Sequence, residues 1–305
     1  MNPYLKIARL DHWFKNIFMG PGFVLALLFT GIKISNAIAP VFIAVLSTCL
    51  VTSANYVINE WLDAGYDHHH PTKWSRPSAS GQVKARYVYL EYVLLSIAGL
   101  TLASLLTREF VIFSVFLLVM GLIYNVRPIR SKDRVYLDVL SESVNNPLRL
   151  LLGWSALISG SLLPSSIVIA YWMGGAFLMA VKRYAEFRAI GNAEQAGMYR
   201  RSFRYYTEEK LLLTSFFYAL SSALFLGIFL IKYRIELLLS FPLFALLFVW
   251  YLAIGMKPHS QSQDPEKIYR ERGFMAYVVF LGIVVMLLLI VDIPWLQFLV
   301  ERLTY

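Results

Sequence analysis

The sequence predicts an all-α integral membrane protein, a bundle of nine spans, on three observations. The 305 residues are 58% hydrophobic and only 15% charged, with a mean hydropathy of +0.59. Apolar runs of about 20 residues, long enough to cross a bilayer, recur along the whole chain. The basic residues fall between those runs rather than in one tract, as in the loops of a membrane protein. A net charge of +9 would otherwise suggest nucleic acid, and this distribution argues against such a partner.

The spans fall at roughly 17–34, 37–60, 87–106, 109–126, 137–158, 165–183, 211–232, 236–255 and 274–293. Before the first, the basic and aromatic segment from Tyr4 to Asn16 has the makeup of an interfacial helix. No small-residue cleavage site follows a short apolar stretch, so the first run is expected to be retained as a span. Most of the 28 lysines and arginines lie on the side of the amino terminus. The opposite side holds only Lys33, Arg108, Lys232, Arg234 and Arg302. That asymmetry places the amino terminus in the cytoplasm and the protein in the cytoplasmic (inner) membrane. The polar cytoplasmic connections, about 61–86, 127–136, 184–210 and 256–273, would cap a single membrane domain covering 1–305. The one cysteine, Cys49, allows no internal disulfide.

The chemistry concentrates between Asn55 and Gly81. If the second helix continues past its apolar part, Asn59, Asp63 and Asp67 recur at one-turn intervals, and Glu60 joins them on that face. A lone acid at a helix end would simply sit in headgroups and water. Four oxygen-bearing side chains together suit Mg²⁺, which takes carboxylates and substrate phosphate oxygens at once. Lys73 and Arg76 follow closely enough to neutralise those phosphates. The pattern Asn59-Glu60-x-x-Asp63-x-x-x-Asp67 resembles the first motif of the UbiA superfamily of intramembrane prenyltransferases, with Glu60 where aspartate is usual. The continuation HPTKWSRP, His70 to Pro77, resembles that superfamily's polyprenyl-phosphate (decaprenyl-phosphate) phosphoribosyltransferase branch.

Other polar groups follow. The sixth span ends in Lys182-Arg183-Tyr184-Ala-Glu186, where Lys182 and Glu186 are spaced for a one-turn ion pair. Superfamily members that use prenyl diphosphates carry a second aspartate motif there. This chain has no aspartate between Asp138 and Asp264, and KRYAE instead resembles the phosphoribosyltransferase branch. Lys182 would then hold phosphate in place of a second metal cluster. In the fifth span Asp138, Glu142, Asn145 and Arg149 share a helical face; ionisable groups in hydrocarbon usually face a partner or a watery cavity. Either Glu142 pairs with Arg149, or the stripe lines a cavity with Arg149 as a phosphate ligand. Arg130 and Lys132 lie near the same cavity mouth. The triplet His68-His69-His70 lacks the spacing of a zinc site.

The resemblance implies nine helices around a central cavity open to the cytoplasmic side. It also implies an Mg²⁺-dependent transfer of 5-phosphoribose from phosphoribosyl diphosphate to a polyprenyl phosphate in the cell envelope. Asp63, Asp67 and Lys182 would be the catalytic residues, Asn59 and Glu60 would support the metal, and Lys73, Arg76, Arg130, Lys132, Arg149, Tyr184 and Glu186 would hold substrate. Two alternatives stay open: a prenyltransferase acting on an aromatic or lipophilic acceptor, and a lipid-phosphate transporter or flippase. Membrane lipids surround the chain under every reading, and self-association into homo-oligomers is left open.

Overall fold

A computed structural model of the chain describes residues 2–68, 73–191, 193–258, 260–263 and 265–299. His69, His70, Pro71 and Thr72, which include two of the three histidines and the first three residues of HPTKWSRP, lie outside the described residues, as do Asp264 and Arg302. The described residues are helical throughout, with no strand. In chain order the helices are α1 (Pro3–Ile7), α2 (Gly20–Thr30), α3 (Ile34–Asp67), α4 (Ala85–Ala103), α5 (Arg108–Asn125), α6 (Leu137–Ser143) and α7 (Asn145–Ser155). They continue with α8 (Ser165–Ile190), α9 (Ala193–Tyr199), α10 (Glu208–Tyr233), α11 (Phe241–Gly255) and α12 (Arg272–Ile290).

Among the described residues, eight helical stretches are long and apolar enough to cross a membrane. The expected span 137–158 is not one of them, because it is divided at Val144 into α6 and α7, of 7 and 11 residues. Pro147 accounts for the break: it has no N–H to offer the carbonyl four residues back, at Ser143. At the polar boundaries helices run on where loops were expected. Helix α3 reaches Asp67 and α8 reaches Ile190.

The chain forms two compact units. The first comprises Met1–Leu163 and Ile190–Thr207, the second Pro164–Ala189 and Glu208–Tyr305. In the first, α3 packs along α4 and α5, and α7 packs against α2 and α5. Lipid tails are as apolar as leucine, so membrane helices associate through close packing and interhelical hydrogen bonds. Both are present here. A Cβ on Gly22 would come within 2.2 Å of the Leu150 carbonyl oxygen, and one on Gly153 within 2.1 Å of that of Met19. Only glycine lets these backbones approach so closely. Ser47 Oγ donates to Gly99 O at 2.8 Å, and Asn55 Nδ2 to Leu117 O at 2.8 Å, fastening α3 to its neighbours.

In the second unit, Ser222 Oγ of α10 donates to Ala170 O of α8 at 2.9 Å. Phe177 packs edge-on against Phe248 of α11, with ring centroids 4.8 Å apart. Tyr277 of α12 donates to Leu243 O at 2.8 Å.

Candidate active site

The polar end of α3 holds a set of carboxylates, each gripped by a cation from a different part of the first unit. Asp63 Oδ1 accepts from Arg130 Nη2 at 2.8 Å and from the ammonium of Lys132. Asp67 Oδ2 accepts from Arg76 Nη1 at 2.8 Å. Arg130 also donates to Asp133 Oδ2 at 3.2 Å and to the Asn125 carbonyl at 2.9 Å. Lys132 Nζ donates to Asn125 Oδ1 at 2.6 Å, and Asn59 Nδ2 donates to that same oxygen. Burial pushes the Lys132 ammonium down to about 8, with Asp63 pulling the other way. Arg130 holds this position from a left-handed backbone, φ 32°, a conformation that costs a non-glycine residue on the order of 1–2 kcal/mol. Its three polar partners hold the side chain in place there.

These side chains enclose a cleft lined by Asp63, Tyr66, Asp67, Arg130, Lys132, Asp133, Tyr199 and Arg200. Its volume, about 20 Å³, holds little more than a water or an ion. Over it lies the segment 199–206. The Lys73 ammonium donates to the Tyr199 hydroxyl, and Arg200 Nη1 donates to Tyr124 OH at 3.3 Å, which in turn donates to Glu142 at 2.6 Å. The segment is anchored by Asp138, fully buried, which accepts from Ser202 Oγ at 3.1 Å and Tyr206 OH at 2.7 Å.

Glu60, expected among the metal's ligands, is paired with Arg9. Its Oε2 accepts from Arg9 Nε at 3.2 Å and Nη2 at 3.0 Å. The pair is one rung of a zipper along α3. Trp13 Nε1 donates to Ser53 Oγ at 2.9 Å, His12 packs edge-on against Tyr56 with centroids 5.1 Å apart, and Asn16 Nδ2 donates to Cys49 Sγ at 3.2 Å. Thus Arg9, His12, Trp13 and Asn16 meet Glu60, Tyr56, Ser53 and Cys49 in antiparallel order, about one turn per rung. Glu60 Oε1 is buried with no hydrogen-bond partner.

Two further expectations change. Arg149 is buried against the zipper, with Nε donating to Asn16 Oδ1 at 2.9 Å and Nη1 to Asn145 O at 3.3 Å, and it does not line the acidic cleft. Along the stripe, Asp138 meets Ser202 and Tyr206, Glu142 meets Tyr124, and Arg149 meets Asn16. Lys182, Tyr184 and Glu186 belong to the second unit. There Glu186 Oε2 accepts from Arg183 Nη1 at 3.1 Å, and Tyr184 OH accepts from Arg188 at 3.2 Å. Arg183 is almost wholly buried. Sequence reasoning did not select Arg183, Asn125, Asp133, Tyr199 or Arg200. Of these only Asp133 carries a visible signal, as the single acid in a basic loop.

Among the described residues, no three His, Cys, Asp or Glu side chains gather closely enough to hold a metal ion. The donor chemistry fits a more modest site. Asp63 and Asp67 offer hard oxygens one turn apart, and Mg²⁺ is commonly held by one or two carboxylates, completing its shell with water and substrate phosphate.

Fold and helix lengths together describe a multi-pass helical membrane protein. The chain belongs to the UbiA prenyltransferase family, whose pattern matches residues 19–278. It is 30% identical over 216 residues to a decaprenyl-phosphate phosphoribosyltransferase of Mycolicibacterium smegmatis, a match covering 68% of this chain and 63% of that protein. The matched stretch thus spans less than two thirds of that relative's length. It is 27% identical over 179 residues to a protoheme IX farnesyltransferase of Shouchella clausii, covering 56% of each. A UbiA homologue from Archaeoglobus fulgidus bound to DMAPP and Mg²⁺ has the same fold, with a TM-score of 0.69 at 18% identity, over 93% of this chain and 99% of that one.

Proposed function

We propose that this protein transfers the 5-phosphoribosyl group of phosphoribosyl diphosphate to a polyprenyl phosphate, with Mg²⁺, and releases diphosphate. The observation that carries the reading is the gathering of cations at the end of α3. Arg130, Lys132, Arg76 and Arg200 surround Asp63, Asp67 and Asp133, four cations to three carboxylates. A donor bearing both a diphosphate and a 5-phosphate needs more positive charge than a single metal ion supplies. Support also comes from the HPTKWSRP and KRYAE stretches, and from the similarity to decaprenyl-phosphate phosphoribosyltransferases.

In this reaction the bond from the anomeric carbon to the diphosphate oxygen breaks, and its electron pair leaves with diphosphate. A lipid phosphate oxygen, already anionic, forms the new bond to that carbon and needs no strong base. Bound Mg²⁺, held by Asp63 and Asp67, would supply charge neutralisation for the leaving group. Arg76, Arg130 and Lys132, now paired with those carboxylates, would turn to the phosphate oxygens and stabilise the charge that develops there. Lys73 and Arg200 would close the cleft from the side of Tyr199, and Lys182, Tyr184 and Glu186 are proposed to bind phosphate as well. The cleft's small volume means that the 199–206 segment must shift to admit the donor.

We read the chain as crossing the membrane nine times, counting α6 and α7 together as the fifth crossing. The amino terminus and cleft would face the cytoplasm, in the inner membrane, by the lysine and arginine distribution. A second reading, transfer of an isoprenoid from its diphosphate, draws on the similarity to protoheme IX farnesyltransferases. The test is incubation of purified protein with labelled phosphoribosyl diphosphate, Mg²⁺ and a panel of polyprenyl phosphates. A labelled lipid product is expected. Prenyl transfer to aromatic acceptors with phosphoribosyl diphosphate ignored would establish the second reading instead. Passage of polyprenyl phosphate across a vesicle membrane with no product from either donor would indicate a transporter.

A further inference from the structure

A second cavity in the first unit lies beside the acidic cleft and is not used by the chemistry above. Its volume is about 480 Å³, within the range of roughly 300–1,000 Å³ typical of small-molecule sites. Its walls are apolar and aromatic: Ile58 and Leu62 of α3, Tyr89 and Tyr92 of α4, and Leu122 of α5. From Ile58 to Tyr66 it follows α3 for about 12 Å at 1.5 Å per residue.

Arg127 and Tyr66 stand at the polar end of this groove. The Arg127 guanidinium donates to Tyr66 OH at 3.1 Å. Arg9, Arg76, Arg130 and Lys132 each grip a carboxylate. Among the described residues Arg127 has no acidic partner, and it is exposed. A cation without a counter-ion at the end of an apolar groove matches a ligand with an apolar chain and an anionic head. The groove also adjoins the cleft. Tyr66 and Arg130 line both, with the guanidinium carbon 4.8 Å from the ring centroid, so a phosphate at Arg127 lies one side-chain layer from Asp63.

We infer that this groove binds the acceptor, an isoprenoid phosphate, with its first isoprene units against Ile58, Leu62, Tyr89, Tyr92 and Leu122 and its phosphate on Arg127. The inference rests on the proposed reaction for the identity of the acceptor. Tyr66 and Arg130, which line both spaces, would have to swing aside for an acceptor phosphate oxygen to reach the donor's anomeric carbon. The rest of the chain extends into the bilayer.

The experiment uses the full chain in zwitterionic nanodiscs and a polyprenyl phosphate with a photoreactive diazirine near its head. Peptide mapping should place the label on the first turns of α4 and the last turn of α5. Unlabelled polyprenyl phosphate should compete and phosphatidylglycerol should not. Arg127→Ala should weaken binding roughly tenfold through loss of one charge-assisted contact. Leu122→Trp, at a partly exposed position, should fill the groove and abolish labelling while the melting temperature stays unchanged. Label elsewhere, equal competition by phosphatidylglycerol, or full labelling of both variants overturns the inference. The two proposals fail separately. Groove labelling without phosphoribosyl transfer refutes only the reaction, and transfer with the label elsewhere refutes only the groove.

Discussion

Replacing Arg9 by alanine removes the guanidinium from Glu60, whose side chain is 3% exposed, and leaves both carboxylate oxygens buried without a donor. Breaking a buried pair from one side typically costs roughly 3–5 kcal/mol, because the remaining charge stays desolvated. The Arg9 side chain is 14% exposed, so water reaches the site more easily and the low end, about 3 kcal/mol, is expected. Glu60→Gln neutralises the orphan, so the double variant Arg9→Ala with Glu60→Gln should recover a large part of that loss, with a coupling of about 2 kcal/mol. Glu60→Asp draws the carboxylate back by one methylene and should cost nearly as much as Arg9→Ala. The assay is thermal unfolding in detergent for all four proteins, paired with calorimetric titration of Mg²⁺. Melting temperatures should fall in the single variants while Mg²⁺ affinity holds. The reasoning is refuted if Glu60→Gln leaves the melting temperature intact and abolishes Mg²⁺ binding, since Glu60 would then be a ligand and not a rung of the zipper.

Asp63→Asn should leave the protein folded by circular dichroism yet abolish turnover, as should chelation of the wild type; turnover surviving both would remove the metal assignment. Lys182→Met keeps the aliphatic stem and loses a charge-assisted contact worth roughly 1.5–3 kcal/mol, so phosphoribosyl transfer should fall tenfold or more, and full activity would count against a phosphate-binding role. The unfolded chain keeps a lysine proton up to about 10.4, while folded Lys132 releases it at about 8. The folded state therefore binds fewer protons in that window and gains stability as pH rises through it. The melting temperature of wild type relative to Lys132→Met should climb between those values, and a flat difference would refute the assignment.

The apolar runs made most of the fold legible, because a helix must satisfy its own backbone groups in lipid and its length is set by the bilayer. Helix α3 runs on to Asp67, the condition under which Asn59, Asp63 and Asp67 share one face. What periodicity could not show was which partner each side of the helix meets. Cys49, Ser53, Tyr56 and Glu60 recur at spacings of four, three and four, a stripe of mostly small or polar residues within an apolar run. Arg9, His12, Trp13 and Asn16 recur at matching intervals. Both patterns are in the sequence, but neither names the other, and a long-range pair is invisible to local spacing. Lys73 and Arg76 drew notice through nearness to the acids in the chain. Tyr199 and Arg200 reach the cleft from a remote segment with no motif around them. Pro147 is a signal for the break at Val144 that the apolar run 137–158 does not show.

The counter-ions of α3 arrive at different times during synthesis. Arg9 precedes the helix, whereas Arg76, Arg130 and Lys132 follow it, the last two only after α4 and α5 have been made. A ribosome that has just released α3 has supplied a partner for Glu60 but none for Asp63. Bare carboxylates are costly in hydrocarbon, so the end of α3 should remain at the water surface until residue 132 has emerged. Arrested chains carrying Ala64→Cys report on this directly. The thiol should react with a water-soluble maleimide when the chain stops before Arg130 and become protected once α7 is complete. Equal reactivity at both lengths would show that the helix end settles without its later partners. The order of the basic segments along the gene thus schedules when the acidic helix end is closed over by its counter-ions.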